Sequence, residues 1–549
     1  MDNASTYHVK PNGVGFAPDC QRVALPGFEL WMNYIENVHV VPQCIDPSRF
    51  CAALALSLQV FRHAAGQLHR NDGEWEILLT DSPVPVEVER IDANAIRVGD
   101  DTEAVDWVIQ PNLKRFYAHR DASSSSSTHT APLLYAKLTL SRSDTAIGVS
   151  WHHTLGDASV LLHFMQSLSH HYSNPGKTLG PTVPTFTKRA FPRPTKSLIH
   201  EYTPLIPHLA QTCPEAELGA VYGAMSHGTS RVAFRITLDR LERLRSRVVA
   251  ALASHHHSEG EQLKPSRHDC LIAFIVGVLN RHLHVPITTV TNVASYRSVP
   301  GVVHHSAVAG NAICIIPTTL DPSTASGTLA DNAHRLRASL TTARTPAFVE
   351  AYMSVASNLM HTAVNSGRAW WFAAPPGRAS VNSNAALAWH SVHFGCPGRA
   401  RFYTSGTNDR YIRVFRSNPD PPSAPQTPAA DRVLCPSSTP TEPAEALEGA
   451  APPRPDDRDP GSQGCVTAFG FARLETTRRL SRAGTHRRAV LTAAADVTVD
   501  GPGPRSAGTT TTDSLDVVFA VASGVRAAVS GAIAAELAAP DFPDSLPGL

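Results

Sequence analysis

The residues best able to do chemistry sit in one run, Ile147-Gly148-Val149-Ser150-Trp151-His152-His153-Thr154-Leu155-Gly156-Asp157. A neutral imidazole is the usual general base near neutral pH, because its unperturbed pKa lies close to the working pH. Apolar residues dominate 132–151, before the histidines, and read as strands. After them, Val160-Leu161-Leu162-His163-Phe164-Met165 has the apolar spacing of a helix. A strand that hands a histidine to a turn before a helix presents the ring at a cleft. His153 is therefore the candidate base, and Asp157 the residue that anchors its turn. The chain holds 27 histidines, so a pair arises easily by chance; His170-His171 and His304-His305 are two more. Only the surroundings separate a functional pair from a chance one.

Those surroundings alternate between strand and helix patterns. Residues 29–42 mix aromatic and β-branched types and predict a strand. Asp46-Pro47-Ser48 opens a helix carrying Phe50, Leu54, Leu58 and Phe61, and Asn71-Asp72-Gly73 turns the chain into a strand from Trp75 to Leu79. The serine run 123–127 predicts a flexible loop, and the Pro-, Lys- and Thr-rich stretch 173–207 a long surface connection. A second half begins with an alternating strand at 232–236 and a helix through Leu241, Leu244, Val248 and Leu252. Ser266-Arg267-His268-Asp269 has capping-box spacing ahead of an apolar helix, and a strand follows near 287–293. From 417 to 512 Pro, Ala, Ser, Thr and Asp dominate, a composition that buries too little apolar surface to offset ordering entropy. Strand and helix patterns resume at 515–521 and run on to about 537. The whole predicts a mixed α/β protein of two lobes with a cleft between them.

Composition narrows the function classes. A length of 549 residues predicts more than one domain, and a net charge of +1 offers no basic face for nucleic acid. The nine cysteines are scattered, none in a Cys-x-x-Cys pair, which suggests neither a disulfide framework nor a zinc knuckle. The N-terminus lacks the pattern of a secretory signal, no apolar run has the length of a membrane span, and Asn3-Ala4-Ser5 reads as a chance sequon. A reducing, cytoplasmic location is expected. His255-His256-His257 reads as a solvated loop rather than a metal site, Cys396 as a small buried thiol, and Trp370-Trp371 as core packing or acyl-pocket wall.

Taken with its neighbours, His152-His153-x-x-x-Asp157 resembles the His-x-x-x-Asp motif of the BAHD acyltransferases, a family with a chloramphenicol-acetyltransferase-like fold. The helix end at 57–66 is similar to the family's leucine-rich helix before Ala-Gly-Arg, with Gln67 in place of Arg. Residues 266–273 resemble its Ser/Thr-x-x-Asp-x-x-x-Ala helix, and Gly310-Asn311 its Gly-Asn pair. His393-Phe394-Gly395-Cys396-Pro397-Gly398 resembles its Asp-Phe-Gly-Trp-Gly motif, with His393 replacing Asp and Cys396-Pro397 replacing Trp-Gly. The likeness covers roughly 8–415 and 513–540.

The resemblance implies an N-terminal lobe at 1–207 and a C-terminal lobe at 208–416. A low-complexity insertion then spans 417–512, and a final strand and helix at 513–549 complete the second lobe. It implies direct transfer of an acyl group from coenzyme A to an alcohol, or less often an amine, with His153 as general base. Asp157 would point away from the cleft and pair with an arginine of the other half, for which Arg297 is the nearest match. Ser383 or Asn384 is the candidate donor to the oxyanion, and Phe394, Gly395 and Gly398 would belong to the coenzyme channel. Acyl-coenzyme A is then a co-substrate, with no permanently bound cofactor and no metal. The expected protein is a monomer of specialised metabolism. Two rivals are a catalytically degenerate relative acting as a scaffold, motivated by the altered loop and the insertion, and a condensation-domain-like enzyme, which shares the histidine motif.

Overall fold

The computed structural model describes residues 4–12, 22–99, 105–119, 131–177, 183–206, 209, 212–255, 263–302, 307–320, 329–371, 374–406, 409–419, 513–544 and 546. The 123–127 loop, Asn3, His256-His257, His304-His305, Cys20, Cys435, Cys465 and nearly all of the low-complexity segment lie outside the described residues.

The first half builds β1 (Ala4–Val9), β2 (Arg22–Ala24), β3 (Tyr34–Val41), β4 (Gln67–Asn71), β5 (Glu74–Leu78), β6 (Val84–Arg90), β7 (Leu134–Leu140) and β8 (Thr145–His152), with helices α1 (Pro47–Val60) and α2 (Ala158–Ser173). The second half starts with α3 (Lys196–Tyr202), β9 (Thr212–Pro214), α4 (Leu218–Ser226), β10 (Thr229–Thr237), α5 (Leu238–His255) and α6 (Arg267–His282). It continues through β11 (Thr289–Ser295), β12 (Ile313–Thr319), α7 (Leu329–Ala343), α8 (Pro346–Asn365), β13 (Arg368–Trp370), β14 (Arg378–Ser383), β15 (Arg401–Thr404) and β16 (Tyr411–Arg416). It ends with β17 (Ser514–Ala522) and α9 (Ser523–Ala538).

Two large mixed sheets organise these elements, in the orders β1-β6-β7-β8-β3-β15 and β10-β17-β16-β14-β11-β12. β8 lies inside the first sheet and is buried along its whole length, which is why its sequence reads as a continuous apolar run rather than an alternation. α1 and α2 pack together over this sheet. Asp46 caps α1 by accepting from Arg49 N at 2.7 Å, and Pro47 supplies the pre-set first turn. In the second sheet α6 carries both halves of the expected capping box, Ser266 with Asp269, and is buried from Asp269 through Val276.

The halves are not sealed units. β15 leaves the second half to pair antiparallel with β3 at the edge of the first sheet, and one apolar cluster runs from Val9 through Leu340 to Val518. β16 and β17 are antiparallel neighbours, and Ser417 N donates to Ser514 O at 3.0 Å. The chain therefore leaves and re-enters the sheet at adjacent points on either side of the low-complexity segment.

Two local expectations need correction. Strand β3 begins only at Tyr34; Gly27–Glu29 is a 3-10 turn, which points Glu29 and Trp31 inward. The stretch 173–207 is not merely a surface connection, because it carries α3 and buries Lys188 against Glu29. A few inward residues in a Pro-rich run leave no periodicity to detect.

His39 on β3 is wholly buried against Trp389 and Phe402, and neither ring nitrogen has a hydrogen-bond partner. Burial pushes its pKa down to about 3. Below 6.5 the unfolded chain protonates this imidazole while the folded one does not, so stability present at neutral pH drains away as pH falls from 6.5 toward 3. Each such histidine can cost up to about 1.4 kcal/mol per pH unit in that window. Denaturant midpoints should fall steeply between pH 6.5 and 4 in the native protein and less steeply in His39→Leu; equal slopes would rule His39 out as a source.

Candidate active site

At the end of β8 the two histidines part company. His152 turns inward, fully buried, its Nδ1 2.7 Å from Thr154 Oγ1 and its ring edge-on to Tyr34. His153 opens a 3-10 turn and stays partly exposed on the wall of a large cavity. The turn closes through Gly156 at φ 135°, where a Cβ would lie 2.6 Å from Val160 Cγ2. Only glycine fits there.

The hydrogen bonds around His153 fix its tautomer. Asn311 Nδ2 faces two oxygens that only accept, the His153 carbonyl at 2.9 Å and Glu29 Oε2 at 3.2 Å. Asn311 Oδ1 must therefore be the atom 2.8 Å from His153 Nδ1, and that nitrogen must carry the proton. Nε2 is left with the lone pair. Glu29 also accepts from Asn311 N and from Lys188 Nζ, 3.0 Å from Oε2, while Lys188 donates to Thr154 O at 2.6 Å. The Trp31 ring stacks on the imidazole, with centroids 4.8 Å apart and planes 21° from parallel. Burial pushes the His153 pKa below its ordinary value and Lys188 adds to this, while Asp157 and Asn311 pull the other way. That direction favours the uncharged ring at neutral pH.

Asp157 does not orient the imidazole. Its Oδ1 caps α2, accepting from Ser159 N at 3.0 Å and Val160 N at 3.3 Å. Its Oδ2 takes Arg297 Nη2 at 3.0 Å and Ala312 N at 3.2 Å. Arg297 in turn donates to the carbonyls of Val308 and Gly310. The pair thus pins the histidine turn to the chain segment that carries Asn311.

The cavity, about 2020 Å³, draws its wall from both halves. Trp31, His153 and Asp157 line it from one side, and Asn382, Ser383, Asn384 and Phe415 from the other. Near the start of α6 its lining carries Arg245, Lys264, Arg267, Arg337 and Arg344 beside the carboxylates Glu242 and Asp269, an excess of positive charge. The residues Phe394, Gly395 and Gly398 are not among those lining this cavity. Phe394 is buried between Phe50 and Tyr172, and Gly395 and Gly398 take φ of 98° and 72° in an exposed turn. Ser169 Oγ on α2 accepts from the backbone N–H groups of His393 and Phe394. His393 Nδ1 accepts from Gly395 N at 3.1 Å, so an imidazole acceptor closes this turn where the resemblance implies a carboxylate.

Glu29, Lys188 and Trp31 were not singled out by sequence reasoning, and Asn311 only as half of a Gly-Asn pair. A buried ion pair between residues 159 positions apart leaves no local pattern. The inward Glu29 and Trp31 were read as part of a strand.

No protein-family model matches the chain. Phenolic glucoside malonyltransferase 1 from Bemisia tabaci is 27% identical over 222 residues, 38% of this chain and 44% of that relative. The match thus spans less than half of the relative's length. Among solved structures, vinorine synthase superposes with a TM-score of 0.51 at 15% identity, covering 75% of this chain and 91% of that one. TRI101 of F. graminearum, complexed with ethyl coenzyme A, superposes with a TM-score of 0.50 at 16% identity, covering 73% and 92%. The chain has a chloramphenicol-acetyltransferase-like fold. The two-lobed α/β architecture expected from the motif resemblance is borne out. Among the described residues no helix is long and apolar enough to cross a membrane.

Removing one partner of a buried ion pair strands the other charge, at a cost of about 3–5 kcal/mol. Asp157→Ala loses an N-cap as well, worth about 1 kcal/mol. Chemical denaturation should therefore place Asp157→Ala below Arg297→Ala and both well below the native protein; a native-like midpoint for Asp157→Ala would contradict the anchoring role.

Proposed function

We propose that the protein is an acyl-coenzyme A-dependent acyltransferase of BAHD type, acting on a hydroxyl and less often an amine. The observation that carries this reading is the tautomer of His153: a neutral ring with its Nδ1 proton held by Asn311 and its Nε2 lone pair available at a cavity shared by both halves. Nε2 takes the proton of the acceptor O–H as that oxygen attacks the thioester carbonyl carbon. The carbonyl electrons move onto oxygen, and Ser383 or Asn384 is the candidate donor that stabilises the charge. Collapse re-forms the carbonyl and breaks the C–S bond, and the departing thiolate recovers the proton from Nε2. No residue becomes acylated. The cationic rim near α6 suits the phosphates of coenzyme A, and the fold neighbour TRI101 is recorded with coenzyme A and T-2 mycotoxin.

On this reading the protein works as a cytoplasmic monomer in specialised metabolism, and residues 1–207 and 208–416, with 513–549, form its two lobes. The altered loop at His393 is one of the two grounds for a degenerate scaffold, yet it does not line the cavity and keeps its own hydrogen bonds. A condensation-type enzyme would use a carrier-bound donor.

Acetyl-, malonyl- and aromatic acyl-coenzyme A with a pool of alcohols should give acceptor-dependent release of thiol. His153→Ala should lower it by about 10²–10⁴-fold. Because the ring's pKa is depressed, the acid limb of the rate profile should fall below 6.5. Release confined to carrier-bound thioesters, or none from a well-folded protein, would overturn the proposal.

A further inference from the structure

Several partly or wholly buried cations among the described residues have carboxylate partners. Arg297 has Asp157, Lys188 has Glu29, Arg235 has Asp516 and Arg337 has Asp269. Arg413, in the middle of β16, has none among the described residues. Its neighbours Ile412 and Val414 face the apolar core of the second half, while Tyr411, Arg413 and Phe415 face the large cavity. Arg413 Nη1 donates to the carbonyls of Ser405 and Gly406, and Nε is buried with no hydrogen-bond partner. The guanidinium lies 5.0 Å from the Phe415 ring centroid and 6.0 Å from that of Tyr411. Burial lowers its pKa, and the charges that oppose this come from Tyr411 and Tyr117 rather than from any carboxylate.

An arginine in such a place keeps its charge, so the desolvation cost persists until an anion arrives. What surrounds it says which anion. Asn382, its register partner on β14, donates to Tyr411 Oη at 3.0 Å and is itself joined by Asn384 Nδ2 at 3.1 Å. This is one cation beside neutral amides and aromatic faces, suited to a single planar charge; the several cations near α6 are what a polyphosphate would need.

We infer that Arg413 binds a carboxylate on one of the two substrates. That carboxylate is either the free acid of a dicarboxylic acyl group or an acid on the acceptor. The inference rests on the acyltransferase reading for the identity of the ligands, and it makes Arg413 a specificity-determining residue rather than a catalytic one.

Calorimetric binding separates it from that reading, because binding needs no turnover. Malonyl- and acetyl-coenzyme A test the donor; p-coumarate and its methyl ester test the acceptor. In the native protein one acid-bearing ligand should bind at least about tenfold more tightly than its neutral counterpart. Arg413→Gln, which removes the charge and leaves an amide near the position of Nε, should bring that ratio close to one, and Arg413→Lys should retain part of it. Melting curves of the variants check that the fold survives. No discrimination in either pair, or discrimination that persists in Arg413→Gln, would overturn the inference. Arg413-dependent discrimination in a protein that transfers nothing would sink the transferase proposal and leave this site standing.

Discussion

The Asn311 amide touches His153 twice, accepting from the ring at Nδ1 and donating to the backbone carbonyl of the same residue. An imidazole that is free to swap tautomers offers a proton or a lone pair at Nε2 with similar ease. Here the choice is made by groups that cannot reverse their roles, because a carbonyl and a carboxylate accept and an ammonium donates. Glu29 and Lys188 hold the amide in one orientation from behind, and Trp31 fixes the plane of the ring. Such a device works only if all its members are held to within about half an ångström. The fold must supply that precision.

The members come from distant parts of the chain. Glu29 and Trp31 precede β3, His153 follows β8, Lys188 lies in a long connection and Asn311 comes just before β12. The Asp157–Arg297 pair, the cap on α2 and the transfer of β15 into the first sheet hold these segments together. A buried ion pair is weak evidence for stability, since an apolar pair often packs as well. Its use here is geometric: it couples the histidine turn to the segment just before β12 that carries its amide partner. The same reasoning makes Arg413 conspicuous, as a cation at the cavity with no carboxylate partner among the described residues.

Much of this was legible because it is local. The apolar run into His152-His153, the Asp-Pro start of α1 and the Ser266–Asp269 box each announce an element through neighbouring residues, and all three are present. Arg297 as partner of Asp157 came from a resemblance between motifs rather than from any pattern in the chain. Glu29 and Lys188 stayed hidden because an inward charge is invisible until its partner is known. The His393 loop shows a different limit: its residues were recognisable, but only the packing of Phe394 against Phe50 and Tyr172 shows that the turn lies away from the cavity.

The central claim concerns a proton position, so its most direct test observes that proton. Nitrogen NMR of protein labelled at histidine, with the His153 signals assigned by comparison with His153→Gln, reports the state of both ring nitrogens. At neutral pH Nδ1 should be protonated and Nε2 bare, with the ring titrating below 6.5. A neutral ring protonated at Nε2, or an imidazolium at neutral pH, would contradict the account.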